Sequence, residues 1–145
     1  MYLDYNYDCI NKLVNMKLSK NFTLKEFECK CGNCEMPEDV LNNVQKLANQ
    51  LQIIRDKVKV PIKVNSAYRC ESHNKSIGGS KNSQHKLGKA ADIVIKGYTP
   101  NEVADLIEEL IASGDMLQGG LGRYNTFSHY DIGYNGRKRR WDFRK

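Results

Sequence analysis

The chain has 145 residues, of which 40% are hydrophobic and 28% charged, with 23 Lys and Arg against 17 Asp and Glu. That length and balance predict one domain spanning residues 1–145 with a proper core, and they exclude disordered and fibrous classes. No run is long and apolar enough to cross a bilayer, and the acidic opening Met1–Asp8 does not read as a secretory signal.

Along the chain, residues 1–20 mix polar and apolar positions at no steady spacing, compatible with a short helix or a strand. Thr23 followed by Glu26 has the form of a capping box and predicts a short helical turn before a cysteine-rich loop. That loop is Cys29-Lys-Cys31-Gly-Asn-Cys34. Five cysteines are an odd number, which excludes a complete set of intramolecular disulfides, and the missing signal favours a reducing site of synthesis. The cluster Cys29, Cys31 and Cys34 suits either reduced thiols packing in a turn or a second, structural metal. Cys9 or Cys70 could complete such a site in space. Residues 37–58 place Val40, Leu41, Val44, Leu47, Leu51 and Ile54 at helical spacing behind Pro37, the clearest amphipathic helix.

Val58–Ser66 alternates with period two and predicts a strand with Pro61 near its start or on an edge. Residues 71–89, rich in Gly, Ser and Lys, predict a long polar loop of the kind that carries function. Ala90–Ile95 is a short apolar strand whose Asp92 needs a partner if buried. Thr99-Pro-Asn-Glu opens a second helix that ends near Gly114, and Gly119–Tyr124 is a turn or short strand. Thr126–Gly133 alternates again, placing Phe127, His129 and Asp131 on one face of a third strand. The basic tail Arg137–Lys145 carries Trp141 and Phe143, which favours a docked terminal segment over a free basic arm.

Two of the three histidines, His85 in the polar loop and His129 on the last strand, stand in contexts that can bring imidazoles beside Asp92. Two imidazoles and a carboxylate leave a fourth tetrahedral position for water, the pattern of a catalytic zinc site. Spacing alone does not separate that from a solvated loop histidine and a hydrogen-bonded strand histidine.

The string Ser83-Gln-His85-Lys-Leu-Gly88-Lys-Ala90-Ala-Asp92 resembles the Ser-x-His-x-x-Gly-x-Ala-x-Asp signature of zinc D-alanyl-D-alanine carboxypeptidases and related phage and bacterial cell-wall peptidases of the M15 family. Further matches run in the family's order: Phe22–Phe27 with its cysteine turn, Asn65-Ser-Ala-Tyr-Arg69, His73-Asn74, Ile77-Gly-Gly, Gly122-Arg-Tyr and Phe127-Ser-His129-Tyr-Asp131. Together they cover residues 20–142.

The resemblance implies an α+β fold, a small mainly antiparallel sheet with helices on one face and a zinc groove on the other, like Hedgehog domains and DD-peptidases. It implies one catalytic zinc ion held by His85, Asp92 and His129. Arg69 then binds a substrate carboxylate or stabilises the oxyanion, and Ser83 and Tyr124 lie against substrate. In many relatives an acidic residue three positions before the last histidine, or a histidine two before it, serves the zinc water. Here those positions are Thr126 and Phe127, so Asp131 is expected to assist proton movement or to orient an imidazole, with Glu71 and His73 as weaker candidates and Tyr68 as a further oxyanion donor. The implied substrates are peptidoglycan stem peptides or cross-links containing D-amino acids. The implied setting is a monomer made in the cytoplasm without membrane insertion, acting at the wall as a phage lysis enzyme or virion component. Two rivals are a non-catalytic wall-binding module that keeps its zinc, and a nucleic-acid-binding protein argued from the basic tail and the cysteine turn.

Overall fold

The computed structural model describes residues 16–145, so most of the reading for residues 1–20 lies outside the described residues. A 3₁₀ turn at Leu24–Phe27 opens where expected, with the Thr23 backbone N–H donating to Glu26 Oε2 at 2.8 Å. Helix α1, Glu38–Val58, buries Val40, Val44, Leu47, Leu51, Ile54 and Val58 along one face. It ends at Lys59 in the left-handed region, φ 59°. The residues from Val58 therefore close a helix instead of opening a strand, and strand β1 is Ile62–Ser66, directly behind Pro61.

The stretch expected to be a continuous polar loop contains helix α2, Glu71–Ser76, and a 3₁₀ turn at Gln84–Leu87. Helix α3, Pro100–Ala112, starts with a reciprocal cap: Glu102 N–H donates to Thr99 Oγ1 at 3.1 Å and Thr99 N–H to Glu102 Oε1 at 3.0 Å. The remaining strands are β2 (Ala90–Ile95), β3 (Gly120–Arg123), β4 (Ser128–Asp131) and β5 (Arg139–Asp142). No helix among the described residues is long and apolar enough to cross a membrane.

The sheet order is β1-β2-β4-β3-β5. The pairs β1–β2, β2–β4 and β3–β4 are antiparallel, while β3–β5 is parallel. The sheet is therefore mixed, which corrects the expectation of a mainly antiparallel one. The cause lies in the basic tail: residues 132–138 pass the end of β3 and return the chain along its free edge. Gly133 and Gly136, at φ 55° and 78°, serve that reversal.

Alternation along the central strands divides their side chains. Ala91, Ile93 and Ile95 of β2, Leu121 of β3 and Tyr130 of β4 join the apolar faces of α1 and α3, with Phe22 and Phe27, in one core cluster. Each large aliphatic side chain fully withdrawn from water there contributes about 1.5–3 kcal/mol. The alternate residues, Asp92, His129 and Asp131, are left for the opposite side of the ladder.

Candidate metal and catalytic site

Register builds the site. Asp92 stands directly across from His129, and the row continues through Ser66 on β1, Gly122 on β3 and Trp141 on β5. A shift between Val64 and Ser66 brings Ser66 opposite Asp92, a bulge of the kind common beside functional sites. The neighbouring row is Ala90, Asp131, Gly120 and Arg139. His85 arrives from the 3₁₀ turn, whose start is capped by Ser83 Oγ accepting from His85 N–H at 3.2 Å. The turn closes on Gly88 at φ 72°, where a side chain would strike Val40 and Val44 of α1.

His85 Nε2 lies 3.2 Å and His129 Nδ1 3.0 Å from the same oxygen, Asp92 Oδ1. The other carboxylate oxygen, Oδ2, accepts from Arg69 Nη2 at 3.1 Å. The outward ring nitrogens are also held. His85 Nδ1 donates to the Ala67 carbonyl at 2.7 Å, and His129 Nε2 lies 2.8 Å from Asp131 Oδ2. Asp131 Oδ1 accepts from the Gly120 N–H at 3.1 Å and from the Arg139 guanidinium. His85, Asp92, His129 and Asp131 are all buried.

These partners decide the charge states. Burial pushes the His85 pKa below its ordinary value, against the pull of Asp92. Burial also works to raise the Asp92 pKa, but hydrogen bonds from His129 and His85 outweigh it and hold the carboxyl well below the usual range. At His129 burial lowers the pKa, and the bonds to Asp131 and Asp92 overcome it, leaving it raised. Asp131 is held low because His129 and Arg139 outweigh its burial.

A metal ion fits this donor set. The Ala67 carbonyl can only accept, so His85 carries its proton on Nδ1 and turns the lone pair of Nε2 toward Asp92. A neutral acceptor facing an ionised carboxylate has no proton to share, and a cation between them resolves the opposition. Asp131 fixes His129 in the complementary way, leaving Nδ1 toward Asp92, so both outer partners act as the carboxylate and carbonyl supports of metal-bound imidazoles do. One donor atom from each of His85, Asp92 and His129 lies within 4.8 Å of the others.

The three side chains border a cleft of about 580 Å³. One wall is the Ile77–Gln84 segment; the other is aromatic, with Tyr124 stacked on Phe127 at 4.3 Å between ring centroids and Trp141 Nε1 donating to the Tyr124 hydroxyl at 2.9 Å. Arg69, Ser83 and Tyr124 all line this cleft. Tyr68 is packed in the core, and Glu71 pairs with Lys86 at 2.7 Å, so neither faces the cleft; His73 is likewise not among its lining residues. Among the described residues the carboxylates of the lining are Asp92 and Asp131, and both oxygens of each are engaged.

The family model described as Peptidase M15 matches residues 20–131. The chain belongs to the Peptidase M15 family. Among curated proteins, none matches the chain. The region of this M15 peptidase that matches the family contains Arg69, His85, Asp92 and His129 and stops at Asp131, so β5 lies beyond it. Yet β5 supplies Arg139 to Asp131 and Trp141 to the aromatic wall, two site residues that sequence reasoning left in a generic basic tail. Asn74 was also missed as a site residue. Its Oδ1 accepts from Arg69 Nη1 at 3.3 Å and its Nδ2 donates to the Ser80 carbonyl at 2.9 Å, tying the arginine to the cleft wall. Gly79 packs against the Asn74 amide so closely that any side chain would overlap it.

Proposed function

We propose that this M15 peptidase is a zinc enzyme that hydrolyses peptidoglycan peptides containing D-amino acids. The observation that carries the reading is the convergence of His85 Nε2 and His129 Nδ1 on one oxygen of Asp92, with every outer donor already held. When bound, zinc supplies Lewis-acid polarisation of a carbonyl and an acidified water.

The chain's own residues have separable tasks. Arg69 steadies Asp92 with Nη2 and Ser66 with Nε at 2.9 Å, and its guanidinium still has N–H groups to offer a substrate carboxylate or developing oxyanion. Asp131 keeps a proton on His129 Nε2 and so orients the ring. Its oxygens are fully engaged, which fits that supporting role better than abstraction of a proton from water. Tyr124, Phe127 and Trp141 offer a flat apolar wall, and Ser83 stabilises the turn that presents His85.

A second reading, a wall-binding module that keeps its metal without turnover, is favoured by one observation: among the described residues the cleft has no disengaged carboxylate, and Thr126 stands three positions before His129, where many relatives carry an acid. The nucleic-acid reading gains little support, because Arg139, Arg140 and Arg144 of the tail are paired with Asp131, Glu108 and Asp142. Action at the wall, as a lysis enzyme or a virion component and as a monomer, accompanies the peptidase reading.

Purified cell wall and synthetic stem peptides, incubated with zinc-loaded protein and analysed by mass spectrometry, test it. Cleavage that stops with chelator, returns with zinc, and falls roughly 10²–10³-fold in Arg69→Ala is expected. Product masses separate release of a terminal D-alanine from an internal cut. Retention on cell wall with no cleaved product would instead establish the binding module.

A further inference from the structure

The four sulfurs of Cys29, Cys31, Cys34 and Cys70 lie within 4.8 Å of one another. Three come from the turn behind the Leu24–Phe27 helix, and the fourth is the N-cap of α2, far along the chain. Cys29 Sγ is 3.7 Å from Cys70 Sγ, which is 3.9 Å from Cys31 Sγ. A disulfide would bring two sulfurs to about 2.05 Å. Sulfurs at the corners of a tetrahedron, each about 2.3 Å from a central zinc ion, lie about 3.8 Å apart. The two short spacings, 3.7 and 3.9 Å, are close to that value.

One backbone amide is aimed into the cluster. The Cys70 N–H donates to Cys29 Sγ at 3.4 Å. Gly32, at φ 75°, lets the turn curl so that Cys31 and Cys34 face the same point. Packing for bulk does not require four sulfurs from two distant segments to meet at one point, whereas a tetrathiolate does.

We propose that Cys29, Cys31, Cys34 and Cys70 form a second metal site, a closed tetrathiolate that takes zinc and serves structure. On binding, four S–H bonds give way to four sulfur–zinc bonds, the protons pass to solvent and no electrons change hands. With every corner filled by sulfur there is no open position for water, so this ion does no chemistry on substrate.

Its place in the fold gives it a mechanical role. The Tyr68 N–H donates to the Phe27 carbonyl at 3.0 Å, and the Arg69 N–H to the His85 carbonyl at 3.0 Å. Ala67 holds the His85 ring, and Arg69 holds Asp92. An ion joining the cysteine turn to Cys70 thus clamps the 67–70 segment on which both catalytic-site contacts depend.

Elemental analysis of protein purified under reducing, chelator-free conditions should give two zinc ions per chain, falling to one in His85→Ala and to one in a Cys34→Ser, Cys70→Ser double variant. Zinc-edge X-ray absorption of His85→Ala should show a shell of sulfur alone at about 2.3 Å. Cobalt substituted into wild-type protein should give the intense thiolate-to-metal absorption of a tetrahedral sulfur site, which decides the matter even if the double cysteine variant does not fold. A single metal with only nitrogen and oxygen neighbours, or a native mass lowered by disulfide formation, overturns the proposal. Because His85→Ala retains this site, the sulfur shell is measured independently of whether the peptidase reading stands.

Discussion

Asp92 works differently through its two oxygens: one faces both imidazoles and the other is anchored by Arg69. That division explains why a carboxylate in an apolar strand is tolerated, since each oxygen meets a partner. Asp131 is its counterpart behind His129. Asp131→Asn keeps the shape but weakens the pull on the His129 N–H, and metal affinity measured by chelator competition is expected to drop about 10–100-fold with the fold retained. Unchanged affinity would mean that His129 needs no such support. His85, Asp92 and His129 were singled out by the resemblance that the Ser83–Asp92 string carries, since spacing alone left each of them open. Asn74 and Arg139 were not, because each acts through a partner that only the folded chain brings near.

At the level of elements, the glycines of β3 matter as much as the charged residues beside them. A methyl group on Gly122 would overlap the Trp141 indole lying across it. Gly122→Ala should therefore lift β5 from the sheet edge, seen as a red shift of Trp141 fluorescence and faster trypsin cleavage in the Arg137–Arg140 segment. No change in either would show that the strand has room to adapt. The start of α3 offers a test in pH. The Glu102 carboxyl is held below its ordinary pKa by the Thr99 backbone N–H and then by the Thr99 hydroxyl. A depressed folded pKa gives stabilisation that is complete above the unfolded value, roughly 4.3, and is lost as pH falls through the folded one. Glu102→Gln should accordingly melt below wild type at neutral pH and match it in acid, whereas Thr99→Ala, which removes the hydroxyl cap, costs about 1 kcal/mol. The long helices were visible from periodicity, as were the central strands. Helix α2, Glu-Ser-His-Asn-Lys-Ser, has no apolar spacing to betray it, and β5, Arg-Arg-Trp-Asp, shows charge where an edge strand shows no burial pattern.

For the whole molecule, metal bound at the proposed sites would be linked to the fold. An ion bound only by the native state at about a thousand times its dissociation constant adds roughly 4 kcal/mol of stability, which for a chain of this size raises the melting temperature by about 10 °C. Differential scanning calorimetry with and without chelator should show a shift of that order, and His85→Ala should lose only part of it if the cysteine site is also filled. Leu51→Ala, at a fully buried position of α1, should cost about 2–5 kcal/mol whatever the metal content. What joins core to site, the pairing of Asp92 with His129, is a long-range fact of register that no local pattern announces.

The supports of the two histidines also differ in how they can be lost in descent. His129 leans on a side chain, so a single codon change at position 131 can loosen it or retune it. His85 leans on the main chain at Ala67, and every amino acid installed there still brings the same oxygen. One half of the pair is open to adjustment by selection at its support, and the other is inherited with the path of the polypeptide itself.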